Sequence, residues 1–220
     1  MVSKLQSLGN ELRCRVRIRK NDNSNRSYSN PVTIWKVPYI NVTVELYPGF
    51  SNLLISTTDS FTSFNVTGPN ITSTWNSDTF IGVSLSQWPN IGDTYEIHLD
   101  YSGGTSGDKT YTVTDMNDNF AWITFPADTQ TINTTTPTFT WQETTGIATY
   151  GLSVAEVVGN VDNWIWWTSL PAGNNSTLYN WDGTATADLQ SGKTYRILLH
   201  TWDANGHQAT TTSTFSIQVP

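Results

Sequence analysis

"GDTYEIHL" at Gly92–Leu99 and "GKTYRILL" at Gly192–Leu199 agree at five of eight positions and stand one hundred residues apart. From the tyrosine onward the odd-numbered residues of both are apolar: Tyr95, Ile97 and Leu99 in the first, Tyr195, Ile197 and Leu199 in the second. A period of two is what a half-buried strand requires, because successive side chains leave a pleated backbone on opposite faces. Self-similarity at a fixed distance reads as two equivalent units in series. A third, weaker copy, "GNELRCRVRI" from Gly9, also opens a strand.

The rest of the chain agrees with strands. Its 220 residues can hold one large core or two small ones. Ten Trp, nine Tyr and eight Phe place it among folded proteins, since a disordered chain is poor in these residues. Abundant Ser and Thr with only 13% charged residues favour β-structure over helix. From Ile40, "INVTVELY", "SNLLIS", "SFTSFNV", "ITSTW", "TFIGVSL", "DTYEIHLDY" and "KTYTVT" are seven short strand candidates separated by Gly, Pro, Asn and Asp.

"LQSGKTY" at Leu189–Tyr195 resembles the tyrosine corner of fibronectin type III domains, in which a Leu six residues before a Tyr closes the turn into strand F. The resemblance covers the last hundred residues. It makes "TPTFTW" at Thr136–Trp141 strand B, "TYGLSVAEV" at Thr149–Val157 strand C, "DANG" at Asp203–Gly206 the F–G turn and "TSTFSI" strand G. The middle segment lacks the Leu-to-Tyr spacing and reads as immunoglobulin-like without a subfamily. The expected fold class is all-β: tandem immunoglobulin-like and fibronectin type III-like antiparallel β-sandwiches with an N-terminal β-hairpin. Residues 1–36 form the hairpin, 37–119 the immunoglobulin-like sandwich and 120–220 the fibronectin type III-like one. "SYSNPVTI" resembles the last strand of a fibronectin type III domain. The hairpin is marginal alone, so it is read as the remnant of a preceding domain or as docked on the next.

Charge and cysteine content exclude several functions. The net charge of −7 divides into +6 over residues 1–36, −8 over 37–119 and −5 over 120–220. An acidic body disfavours nucleic acid as a partner. Cys14 is the only cysteine, so neither an intrachain disulfide nor a cysteine metal cluster can form, and its alternating neighbours make it an inward-facing thiol. No stretch reaches the roughly 20 apolar residues of a membrane span, and "MVSKLQSLGN" has no signal-peptide core. Seven N-x-[ST] sequons follow from an Asn-, Ser- and Thr-rich composition. The whole is read as part of a bacterial or archaeal extracellular or cell-surface protein, a fragment or mature form.

Two places have the chemistry of a binding site. "DMNDN" carries the D-x-N-D-N pattern of the cadherin linker at Asp115, Asn117, Asp118 and Asn119, between the two units. That resemblance implies calcium, with Glu45 as a further oxygen ligand, because the ion takes six to eight hard oxygens. The acidic motif expected before Tyr95 is missing, and Ala121 stands where the family has Pro. Apart from calcium no cofactor is expected. In "NWIWWTSLPAGNNSTLYNWDG", strict alternation puts Trp164 and Trp166 on one strand face and Trp167 on the other. Outward Leu198 and Trp202 beside Trp164 and Trp166 would form an exposed apolar patch for carbohydrate or a partner.

Two further rows read as solvated faces. Glu96, His98 and Asp100 alternate outward on one strand without a nucleophile or phosphate loop. Arg13, Arg15, Arg17 and Arg19 line another face, to be neutralised by something acidic. The expected function is a non-catalytic spacer and adhesion or binding unit of a larger surface or secreted protein. Its partners would be other domains of that protein and polysaccharide or a surface protein. The alternatives are a carbohydrate-binding accessory module of a polysaccharide-degrading enzyme and a calcium-rigidified rod.

Overall fold

The computed structural model describes residues 38–159 and 161–219 and, before them, the backbone of four strands. These are β1 (Val2–Leu8), β2 (Glu11–Arg19), β3 (Arg26–Tyr28) and β4 (Val32–Trp35). β2 pairs antiparallel with each of the other three, so the hairpin expected here is part of a four-stranded sheet. The expectations for the side chains of Cys14 and the arginine row lie outside the described residues.

Seven strands follow: β5 (Ile40–Tyr47), β6 (Phe50–Thr57), β7 (Phe61–Thr67), β8 (Ile71–Ser77), β9 (Phe80–Leu85), β10 (Thr94–Tyr101) and β11 (Ser106–Thr112). They order as β5-β6-β9-β8 and β11-β10-β7, the four-plus-three arrangement of a constant-type immunoglobulin sandwich. Alternate residues of the two sheets, among them Leu46, Leu53, Ile55, Ile81, Val83, Tyr95 and Leu99, close one core.

The remaining strands are β12 (Trp122–Phe125), β13 (Gln130–Ile132), β14 (Thr138–Gln142), β15 (Thr149–Val158), β16 (Val161–Pro171), β17 (Ser176–Leu178), β18 (Thr194–Trp202) and β19 (Gln208–Ile217). One sheet orders β12-β14-β17 and the other β16-β15-β18-β19, with β13 parallel on β19. This is the strand order of a fibronectin type III-like sandwich. Phe139, Trp141, Tyr150, Leu152, Trp166, Tyr195, Ile197 and Phe215 fill a second core. Each such side chain contributes about 1.5–3 kcal/mol when fully removed from water.

The hundred-residue repeat is structural. The N–H groups of Gly92 and Gly192 donate to Val113 O and Ile217 O at 2.8 and 2.7 Å, each tying the turn before the Tyr-bearing strand to the end of the chain segment that follows it. Both glycines have positive φ, 96° and 83°, a conformation that side chains disfavour. Tyr195 completes its corner: its hydroxyl accepts the Gln190 N–H at 2.8 Å above buried Leu189.

One feature joins the halves. β19 pairs in parallel with β5 through Gln208↔Glu45 and Ala209↔Leu46, so a single nine-stranded sheet runs through both sandwiches. Ala209 and Leu46 point into the first core, and Glu45 and Gln208 therefore emerge on the opposite, outer face. Both cores lie on one side of this sheet, and its other side is a continuous surface crossing the seam.

Candidate functional site

The linker is a hydrogen-bonded strap. Asn117 is buried, its amide donates to Thr201 O at 3.0 Å, and its own oxygen accepts the Asn119 N–H at 3.0 Å. Thr201 Oγ1 returns a bond to Asn119 O at 2.9 Å, and Thr211 Oγ1 donates to Ala121 O at 2.6 Å. Trp88, Phe120 and Trp122 pack in series beside it, with centroids 5.6 and 6.1 Å apart.

The five oxygen ligands expected of a calcium joint do not gather around one point. Glu45 is buried and accepts from Gln208 Nε2 at 2.5 Å and Thr210 Oγ1 at 2.8 Å, and Asn117 is engaged as above. Asp115 instead lies beside Asp203 and His207, with one ligand atom of each within 4.8 Å of the others. Burial works against ionisation of Asp203, but the His207 side chain and the backbone N–H groups of His207 and Asn205 together hold its carboxyl below the usual range.

The outer face carries a groove of about 570 Å³ at the seam. β5 ends at Tyr47 while β19 runs on to Ile217, so the Tyr47–Phe50 turn stands beside the outward threonines Thr212 and Thr214. Tyr47 and Phe50 stack at 4.5 Å and 7°. Burial and then the neighbouring Glu45 carboxylate push the Tyr47 hydroxyl far above its ordinary pKa. Leu198 and Arg196 from β18, Trp164 from β16, and Trp122 and Asp128 complete the lining. Arg196 is pinned by Asp162 at 2.6 Å, and Asp128 accepts the Thr214 N–H at 2.9 Å.

Of the four expected aromatic-patch residues, Trp164 and Leu198 line this groove and the other two do not. Trp166 is a correction: it is 3% exposed, packs on Phe139 and Tyr179 in the second core, and donates its indole N–H to Asp182 at 2.9 Å. The cause is a β-bulge, since Val154 pairs with Trp166 and Ala155 with Trp164, leaving Ile165 unpaired and reversing the alternation. Trp164 and Trp167 are accordingly both outward, at 52% and 48% exposure. Trp202 joins Trp167 and His200 in a separate aromatic cluster over Gly151, where an added Cβ would come within 2.5 Å of both indoles. Tyr47, Phe50 and Trp122 were missed. Exposed aromatics flanking the "YPG" turn are a weak signal, and nothing local places them beside Trp164.

A Ser–His–Glu alignment also crosses the seam. His200 Nε2 lies 3.3 Å from Ser153 Oγ and Nδ1 3.7 Å from Glu45 Oε1. Nucleophilic catalysis would need Nε2 unprotonated toward the serine and Nδ1–H toward the acid. At 3.7 Å Glu45 is beyond hydrogen-bond reach of Nδ1. The groups beside Nδ1 are the Gln208 amide nitrogen at 2.8 Å, turned there by Trp202 Nε1 donating to Gln208 Oε1 at 3.1 Å, and Thr210 Oγ1 at 2.9 Å. The network fastens the seam.

The Glu96–His98–Asp100 row is solvated. His98 sits between Asp108 at 2.6 Å and Asp100 at 3.3 Å, and Thr110 donates to Glu96 at 2.8 Å. The Asp108 hydrogen bond chiefly raises the His98 pKa, and the Ser63 hydroxyl chiefly lowers that of Asp100.

No model of a known protein family matches the chain, and a search of curated proteins finds no match. Among solved structures it is similar to the fibronectin(III)-like modules of Clostridium thermocellum CbhA, at 12% identity and a TM-score of 0.32 over 82% of this chain and 94% of that one. Bacteroides ovatus SGBP-B of the mixed-linkage glucan utilization locus, in complex with a mixed-linkage heptasaccharide, matches at 13% and 0.22 over 95% of this chain. This chain spans 53% of that protein's length. The Enterococcus faecalis MSCRAMM ACE, described as binding its ligands by the collagen hug model, matches at 7% and 0.18, over 82% of this chain and 95% of that one. At these scores the function of none of the three is carried over.

Proposed function

We propose that this chain is a non-catalytic module of an extracellular or cell-surface protein: a stiff two-sandwich spacer that presents a binding surface along its outer face. The observation that carries this reading is the groove at the seam, walled by exposed aromatic rings and backed by a continuous sheet. Exposed apolar patches of this kind mark interaction sites, and a rigid backing limits the ordering cost of binding. No helix among the described residues is long and apolar enough to cross a membrane.

The test is capture by the immobilised chain from an array of polysaccharides and purified surface proteins, with Trp164→Ala in parallel. The reading expects a saturable ligand that the variant loses. Identical signals from the two proteins across the array would contradict it.

A further inference from the structure

We infer that the groove is a clamp for a segment of neutral polysaccharide, formed jointly by both sandwiches. This rests on the binding reading above and specifies its ligand.

The register fixes the shape of the surface. Trp164, Ala155, Arg196 and Thr214 are successive cross-strand partners, forming one row perpendicular to the strands. Beyond β19 the first sandwich takes over with Tyr47 and Phe50. From β16 to β19 there are three inter-strand steps of about 4.8 Å, or roughly 14 Å of floor, and the Tyr47–Phe50 turn past the end of β5 extends it. An extended chain of several sugar rings suits such a floor better than one compact ligand. Its two ends carry flat rings, Trp164 on one and the stacked Tyr47–Phe50 pair on the other, and flat aromatic faces pack against the C–H faces of pyranoses.

The polar groups between them suit hydroxyls. Arg196, oriented by Asp162, retains N–H donors beyond the one it gives to the carboxylate, while Asp128 and Thr212 add acceptors and a hydroxyl. A few placed polar groups among apolar walls are the usual composition of a ligand site. Charge decides the class. One guanidinium stands against two carboxylates, within a segment whose net charge is −5, so an anionic glycan is repelled and a neutral one is not.

Calorimetric titration of the intact chain with neutral cello-, xylo- and manno-hexasaccharides, their monosaccharides and oligogalacturonate tests this. We expect a neutral hexasaccharide to bind, and the monosaccharide and anionic oligomer not to. Trp164→Ala and Phe50→Ala should each weaken binding by about tenfold or more, the equivalent of about 1.4 kcal/mol. Trp167→Ala, outside the groove, should stay within about twofold. All three side chains are exposed, and unchanged melting temperatures verify that the variants fold. If Phe50→Ala binds like wild type while Trp164→Ala does not, the two-sandwich clamp is wrong although the binding reading stands. Preference for oligogalacturonate, or capture of proteins alone, overturns the neutral-glycan assignment. If no saccharide or protein binds, both readings fail.

Discussion

Tyr95 and Tyr195 occupy equivalent strands, both fully buried, and among the described residues only one of them has a hydrogen-bond partner. The Tyr195 hydroxyl accepts the Gln190 N–H, whereas the buried Tyr95 hydroxyl has no partner among the described residues. Six residues earlier the second sandwich has Leu189 and the first has Pro89. The N–H that would serve Tyr95, that of Asn90, is taken by Asp93 Oδ2 at 2.8 Å. Burial, then Asp93 and Tyr111, push the Tyr95 pKa up to about 12. For Tyr195 burial also raises it, but the Gln190 N–H opposes the rise. The same strand and the same residue thus acquire different roles from the turn that precedes them: a latch in one half, a space-filling ring in the other.

The largest effect that would break this contrast is expected at Leu189→Ala, which deletes a buried side chain beneath the corner. It should cost about 2–5 kcal/mol in denaturant unfolding monitored on the second sandwich. Tyr195→Phe comes next, at about 0.5–1.5 kcal/mol, the net value of one hydrogen bond. Tyr95→Phe should be neutral or stabilising by up to about 1 kcal/mol, because it removes a hydroxyl without a partner. Equal losses for the two tyrosines in calorimetry would mean that Tyr95 has a partner after all.

The contrast is sharpened by acid. Asp203 closes the F–G turn of the second sandwich, accepting the Asn205 and His207 N–H groups at 2.9 Å each, while the corresponding turn of the first, "YSGGTSG", has no acid. The depressed Asp203 pKa gives stability that is fully present above the ordinary value of 3.8 and is lost as pH falls through its lower folded value. Asp203→Asn should flatten that part of the melting-temperature profile between about pH 4 and pH 2. An unchanged acid limb would remove Asp203 from the account. Calcium should have the smallest effect. With Glu45 and Asn117 engaged in the seam, a calcium titration should produce no saturable rise in melting temperature, and a saturable rise would show that the linker binds the ion.

What was legible in the sequence was local. Short strand-like runs bounded by Gly, Pro, Asn and Asp located all seven strands of the first sandwich, and the Leu189–Tyr195 spacing identified the corner, because both depend on residues within one strand and its turn. The bulge at Ile165 could not be seen, since it is defined by which residues β15 offers as partners, and without it Trp166 was assigned to the wrong face. The seam was also illegible. Glu45 and Gln208 are 163 residues apart, and the alternation of β5 and β19 gives each strand's inward face without revealing that their edges meet. For the same reason Trp164 and Leu198 were nameable and Tyr47 and Phe50 were not. Asn117 and Asn119 read as ion ligands because side-chain oxygens suit a cation and a backbone strap equally well.

The central claim is that the outer face at the seam is where this molecule meets its ligand. Indole N–H resonances of the ten tryptophans, followed during titration with the best-bound hexasaccharide, address it directly. The account predicts that Trp164 and Trp122 shift in a saturable way, while buried Trp141 and Trp166 stay in place. Saturable shifts confined to Trp167 and Trp202, or no shifts at all, would contradict it.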